Sequence, residues 1–167
     1  GVEPGYEFAK FAREHAGCVV YSSLAELANS GEPAFDLIVV NHVLEHVENP
    51  VSFLLSLKKI LSKEGRIYLD VPDVSSYSNV TELHIAHLYH FSVGTLGVAS
   101  EKAGLRPVAI ERHCPPRHPR SIRAVRVTGP GQECLLPSDE ASDGARVHAL
   151  IRTINRRAWL SGFRNRL

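Results

Sequence analysis

The segment Phe35-Asp36-Leu37-Ile38-Val39-Val40-Asn41 constrains the fold more than any other part of the chain. Its unbroken run of aliphatic residues predicts a strand buried on both faces, as in the centre of a parallel sheet. Pro50 then opens a helical pattern from about 51 to 61. Phe53, Leu54, Leu57 and Leu61 share one face, and Lys58, Lys59 and Lys63 crowd the C-terminal end, where cations suit the helix dipole. Gly65 stops the helix, and Arg66 to Val71 reads as the next strand, ended by Pro72-Asp73. Upstream, Gly1 to Pro4 reads as the end of a strand and a turn. Tyr6 to His15 is an amphipathic helix closed by Gly17, and residues 18–21 form a short strand. Leu24, Leu27 and Ala28 suggest a helical turn or two before Gly31 and Pro33. Downstream, Ser92 or Thr95 caps a helix running to Ala103, with Gly104 as its stop. Strands at 107–111 and 121–128 are joined by a proline-rich loop with no helix, so they should pair as an antiparallel hairpin at the sheet edge. Strands alternating with helices imply right-handed βαβ units in a doubly wound α/β fold with a mostly parallel sheet.

Composition bounds what such a fold can serve. The chain has 167 residues, 44% apolar and 22% charged, which suits one globular domain with a substantial core. No run of 18 apolar residues occurs, which excludes a membrane-spanning helix, and no signal peptide is visible. Nineteen basic and 18 acidic residues leave a formal charge of +1, so bulk charge points to no nucleic-acid partner. Cys18, Cys114 and Cys134 are odd in number and lack CxxC spacing, which fits a reducing cytoplasm better than a disulfide framework. A domain over 1–128, a Pro/Gly-rich linker over 129–140 and a basic amphipathic helix over 141–167 are expected. That last helix carries Val147, Leu150, Ile151, Ile154 and Trp159 on its apolar face, and its arginines are expected to face water. The chain has no methionine and begins at Gly1, so it is expected to be a fragment of something longer.

In open parallel sheets, ligands bind beyond the carboxyl ends of the strands. The residues at those positions are Glu3; Ser22 and Ser23; Asn41, His42, Glu45 and His46; and Asp70 and Asp73. A carboxylate such as Glu3 at a strand end can accept two hydrogen bonds from a ribose diol, although a solvated turn glutamate would look the same in sequence. Asn41 can meet a ligand or cap a helix. His84, His87 and His90 recur at steps of three, which on a helix would place them on one face. With His113, Cys114 and His118 they match no standard metal-ligand spacing, and His46 and Cys114 are expected to pack or stay inert.

GVEPGYEFAKFARE, followed by FDLIVVNHVLEHVENPVSFLLSLKKILSKEGRIYLDVPD, resembles class I S-adenosylmethionine-dependent methyltransferases, in particular small-molecule enzymes with a "vleHv.dp" segment. HLYHFSVGTLGVASEKAGL resembles the part of those proteins before their late helix, and the likeness covers roughly residues 1–112. The resemblance implies a Rossmann-like sheet and S-adenosylmethionine as cofactor. It implies Glu3 on the cofactor ribose, and Asn41 and His42 along the methionine and sulfonium part. The family's acid near adenine is replaced by Tyr21-Ser22-Ser23-Leu24, where a serine, Ser22 or Ser23, would make the contact. The family's first strand and glycine-rich loop should lie about 20 residues before the ribose acid. Only two residues precede Glu3, so the first βα unit is expected to be missing and the sheet to have a gap. His87 and His90 fall where the family places substrate-binding insertions and are the candidate general bases. The implied function is methyl transfer to a small-molecule acceptor, such as a sugar or other hydroxylated metabolite, with this chain as the C-terminal portion of the enzyme. Two further readings stay open: a non-catalytic methyltransferase-like interaction module, and a metal-dependent hydrolase using the histidines.

Overall fold

The structure, a computed structural model, describes residues 1–77, 82–114 and 120–128, together with Ala149, Arg152 and Thr153. The elements in chain order are α1 (Tyr6–Ala16), α2 (Leu24–Asn29), β1 (Phe35–Asn41), α3 (Pro50–Ile60), β2 (Leu61–Pro72), α4 (Val93–Lys102), β3 (Leu105–His113) and β4 (Ser121–Thr128). Single 3-10 turns lie at Leu44–His46 and Val74–Ser76. The four strands form one sheet in the order β1-β2-β4-β3. β1 and β2 are parallel, and β4 pairs antiparallel with both β2 and β3. The expected C-terminal edge hairpin is therefore present, with β3 outermost.

The register explains the core. Ile38 pairs with Ile67 and Val40 with Leu69. Leu69 pairs in turn with Ala124, and Val71 with Ile122. Alternation along a strand points all of these to one face. On that face they meet Leu54 and Leu57 of α3 and Leu96 of α4 in a single buried cluster. Each large aliphatic side chain buried there contributes roughly 1.5–3 kcal/mol.

Local signals place the helices on this face. Asn49 caps α3 by accepting from the Ser52 amide at 2.9 Å, and Pro50 occupies its first turn. Both expected residues act at the start of α4. The Thr95 amide donates to Ser92 Oγ at 3.3 Å, and the Ser92 amide donates to Thr95 Oγ1 at 2.9 Å, a reciprocal capping box. α1 ends at Gly17 in the left-handed region, φ 62°.

Four expectations need correction. β1 is not buried on both faces: Leu37 and Val39 are 59% and 60% exposed. It is the outer strand of the sheet, and its second face is left uncovered, so its apolar composition reflects more than its position here. The strand buried on both faces near its carboxyl end is β2, which has a neighbour on each side. Residues 18–21 form no strand but make a single parallel bridge, Val2 with Tyr21, outside the sheet. Gly65 does not stop α3, which ends at Ile60, but lies within β2. His84 to His90 is a succession of turns, so the three histidines share no helix face. The expected linker over 129–140 lies outside the described residues. So does the basic helix over 141–167, except that Ala149, Arg152 and Thr153 are helical. No described helix is long and apolar enough to cross a membrane.

Candidate functional site

The carboxyl ends of the parallel pair β1–β2 form one rim. Asn41 lies opposite Asp70 in the ladder, and the next amide, of His42, donates to the Asp70 carbonyl at 2.9 Å. His42 has φ 51°, and it is the one non-glycine residue in the left-handed region among the described residues. That conformation turns the chain out of the sheet into the 3-10 turn anchored by Leu44, which is fully buried. Strain of this kind persists only where the surroundings enforce it, and it concentrates at ligand sites.

Below the rim, Asp70 is buried. Its Oδ2 accepts from the Tyr68 hydroxyl at 3.2 Å and lies 2.9 Å from His113 Nε2, while Oδ1 has no partner among the described residues. Burial, and next the Asp70 charge, push the Tyr68 phenol upward. Asp73 is fully buried and satisfied. Its Oδ1 accepts from the Ser75 amide and hydroxyl at 3.0 and 2.6 Å, and its Oδ2 from Arg112 Nε at 2.7 Å. A cavity of about 320 Å³ opens beside it, lined by Asp73, Ser75, Ser76, Arg112, His113 and Arg120 among others.

Glu3, Ser22 and Ser23 meet at the separate Val2–Tyr21 bridge. The Glu3 amide donates to the Tyr21 carbonyl at 2.9 Å, which sets Glu3 and Ser22 side by side at the ends of two short parallel stretches. Glu3 Oε1 accepts from the Gly5 amide at 2.7 Å, which orients the carboxylate. The two serines are engaged in starting α2. Ser23 Oγ accepts from the Glu26 amide at 3.1 Å, and the Ser22 amide and hydroxyl both donate to Glu26 Oε2, at 2.7 and 2.6 Å. Those bonds hold the Glu26 carboxyl below its ordinary range.

The three spaced histidines converge, although by turns. The His87 amide donates to the His84 carbonyl at 3.0 Å, and the rings of His84 and His90 lie 5.0 and 5.7 Å from that of His87. The ring of His46 comes edge-on to His87 at 4.8 Å. Burial, followed by the neighbouring His46, His84, His90 and His42, lowers His87 to about 4. Burial also lowers His90, whose Nδ1 is 3.2 Å from the Tyr77 hydroxyl. Tyr77 is pushed up to about 12, chiefly by burial, and so stays a neutral phenol. In sequence Glu45 is only one of the residues after β1, and His46 reads as packing. The Asp70–His113, Asp73–Arg112 and Tyr77–His90 pairs leave no sequence signal, because each joins segments distant in sequence or separated by turns.

Comparison with known proteins fits this architecture. A methyltransferase-domain family matches residues 4–110, and the chain belongs to that family. An uncharacterized protein of Methanocaldococcus jannaschii is 31% identical over 77 residues, which are 46% of this chain and 37% of that protein. The 1,6-didemethyltoxoflavin-N1-methyltransferase of Burkholderia thailandensis shares the fold with a TM-score of 0.57 at 22% identity, over 77% of this chain and 60% of the enzyme. An S-adenosylmethionine dependent methyltransferase of Mesorhizobium loti does so with a TM-score of 0.59 at 16% identity, over 75% and 78% of the two chains. The chain thus spans just over a third of the curated relative and three fifths of the Burkholderia enzyme. The Rossmann-like α/β class of the sheet agrees with these likenesses.

Proposed function

We propose that this chain is the C-terminal portion of an S-adenosylmethionine-dependent enzyme that methylates a small-molecule acceptor. The observation that carries the reading is the β1–β2 rim, where a strained His42 and the Asn41–Asp70 pair stand at the carboxyl ends of two parallel strands in a chain of the methyltransferase family. The Burkholderia relative holds S-adenosylhomocysteine together with its acceptor, 1,6-didemethyltoxoflavin. The exposed second face of β1 and the separation of the Val2–Tyr21 bridge from the sheet support a further strand between them.

The residues present suit the nucleoside cofactor. Glu3, oriented by the Gly5 amide, offers a carboxylate to the two ribose hydroxyls. Ser22 and Ser23 line the adjoining turn, and Asn41 and His42 face the methionine end. The cofactor supplies an electrophilic sulfonium methyl when bound. The chain's own part is to hold the acceptor in line and to take its proton. His87 and His90 are the candidates for that proton. His90 serves as a base at Nε2 when its Nδ1–H is donated to the Tyr77 oxygen, which fixes the ring. A sugar or other hydroxylated metabolite is the acceptor class that would need such a base.

The test is calorimetric titration of S-adenosylhomocysteine into the protein carrying its upstream coding sequence, beside Glu3→Ala. Binding that weakens at least tenfold on loss of the carboxylate supports the reading. No binding, or no effect of Glu3→Ala, refutes it.

A further inference from the structure

The 3-10 turn that follows β1 buries a glutamate among histidines. Glu45 is 1% exposed, yet only part of its carboxylate is used. Oε1 lies 3.3 Å from His42 Nδ1 and 4.0 Å from His46 Nε2, whereas the buried Oε2 has no hydrogen-bond partner among the described residues. A buried polar oxygen without a partner is unfavourable and calls for an explanation, such as an ion that binds there. Nδ1 of His87 is likewise buried and without a partner among the described residues. Ligand atoms of Glu45, His46 and His87 all lie within 4.8 Å of one another.

We propose that Glu45, His46 and His87 form a binding site for a divalent transition-metal ion of the zinc class. Two imidazoles and one carboxylate are a donor set that such ions favour over magnesium or calcium. Three protein ligands leave a coordination position for water or for an oxygen of a bound small molecule. In a tetrahedral site with bonds near 2.0–2.1 Å, neighbouring donors stand about 3.4 Å apart. Closing from 4.8 Å takes modest side-chain rotation.

The supporting shell is built. His46 Nδ1 lies 2.9 Å from the Ala86 carbonyl, which accepts only if Nδ1 carries the proton. That tautomer leaves Nε2, the atom nearer Glu45, with its lone pair for a metal. The two ligand-bearing segments are bound backbone to backbone, since the Leu88 and Tyr89 amides both donate to the Glu45 carbonyl, at 2.8 and 3.1 Å. The Tyr89 hydroxyl adds a bond to the Glu48 carbonyl at 3.0 Å. His42 Nδ1, 3.3 Å from Oε1, helps to hold the carboxylate. With a metal bound, His87 is a ligand and His90 alone is left as the base for methyl transfer; in every other respect the site does not depend on that reading.

Zinc titration of chelator-treated protein, followed by calorimetry and by elemental analysis after gel filtration, tests the assignment. One zinc per chain is expected. Glu45→Gln and His87→Ala should each weaken binding by about 100-fold or more, beyond the 10–100-fold that loss of an outer-shell partner costs. His15→Ala, an exposed histidine on α1, should bind as the parent does. Cobalt in place of zinc should show the visible absorption of a four-coordinate site, and this should vanish in Glu45→Gln, whose circular dichroism should match the parent. No stoichiometric zinc, retained binding in Glu45→Gln, or an equal loss in His15→Ala overturns the proposal.

Discussion

Arg112 and Asp73 offer a sharp test of how the rim is held, because their burial is so unequal. The Asp73 side chain is 0% exposed and that of Arg112 is 55% exposed, with 2.7 Å between Nε and Oδ2. Arg112→Ala removes a charge-assisted hydrogen bond and leaves one oxygen of a buried carboxylate without its cation, so it should cost about 3 kcal/mol or slightly more. Asp73→Asn removes the charge but keeps an oxygen for the Ser75 amide and hydroxyl, and the exposed arginine can turn into water. It should cost only about 1–2 kcal/mol. In the Asp73→Asn background, Arg112→Ala should then cost less than about 1 kcal/mol, for a coupling of about 2 kcal/mol. Urea unfolding followed by far-UV circular dichroism measures all four corners of the cycle. Equal single-mutant costs, or additive ones, would falsify the claim that a buried anion at the end of β2 is held by a partner in solvent.

Leu96→Ala on α4 removes a fully buried side chain at the centre of the core and should cost about 2–5 kcal/mol in the same assay. Gly65→Ala places a methyl 2.8 Å from the Phe35 carbonyl and 2.7 Å from Leu61 Cδ1, and the carbonyl cannot yield. A loss of about 1–3 kcal/mol is expected, with faster amide exchange at the start of β1 and β2, and unchanged exchange would refute the contact. In chelator-treated protein, stability should fall as pH drops from 6.5 toward about 4, because the unfolded chain protonates His87 before the folded one does. Solvent screening at this partly exposed ring limits the loss to about 1–2 kcal/mol, and a slope that persists unchanged in His87→Gln would refute its origin.

What could be read along the chain was what neighbouring residues decide. Asn49-Pro50 starts α3, Ser92 and Thr95 close a capping box, Gly17 ends α1, and the proline-rich sequence before residue 121 points to β3 and β4 as a hairpin. These are contacts within a few residues, so periodicity and turn chemistry suffice to find them. Glu3, Asn41 and His42 were also legible as residues at the ends of extended stretches, since alternating strands and helices mark where those stretches stop. Tertiary structure alone decided the rest. The same apolar run would fill a central strand or an outer one, and only the sheet order shows β1 outermost and β2 enclosed. His46 and Ala86 meet across some forty residues, as do Asp70 and His113, so no local spacing could have gathered Glu45, His46 and His87 around one point. Their proximity comes from packing one turn against another, and a hydrogen bond between distant segments leaves no period in the sequence.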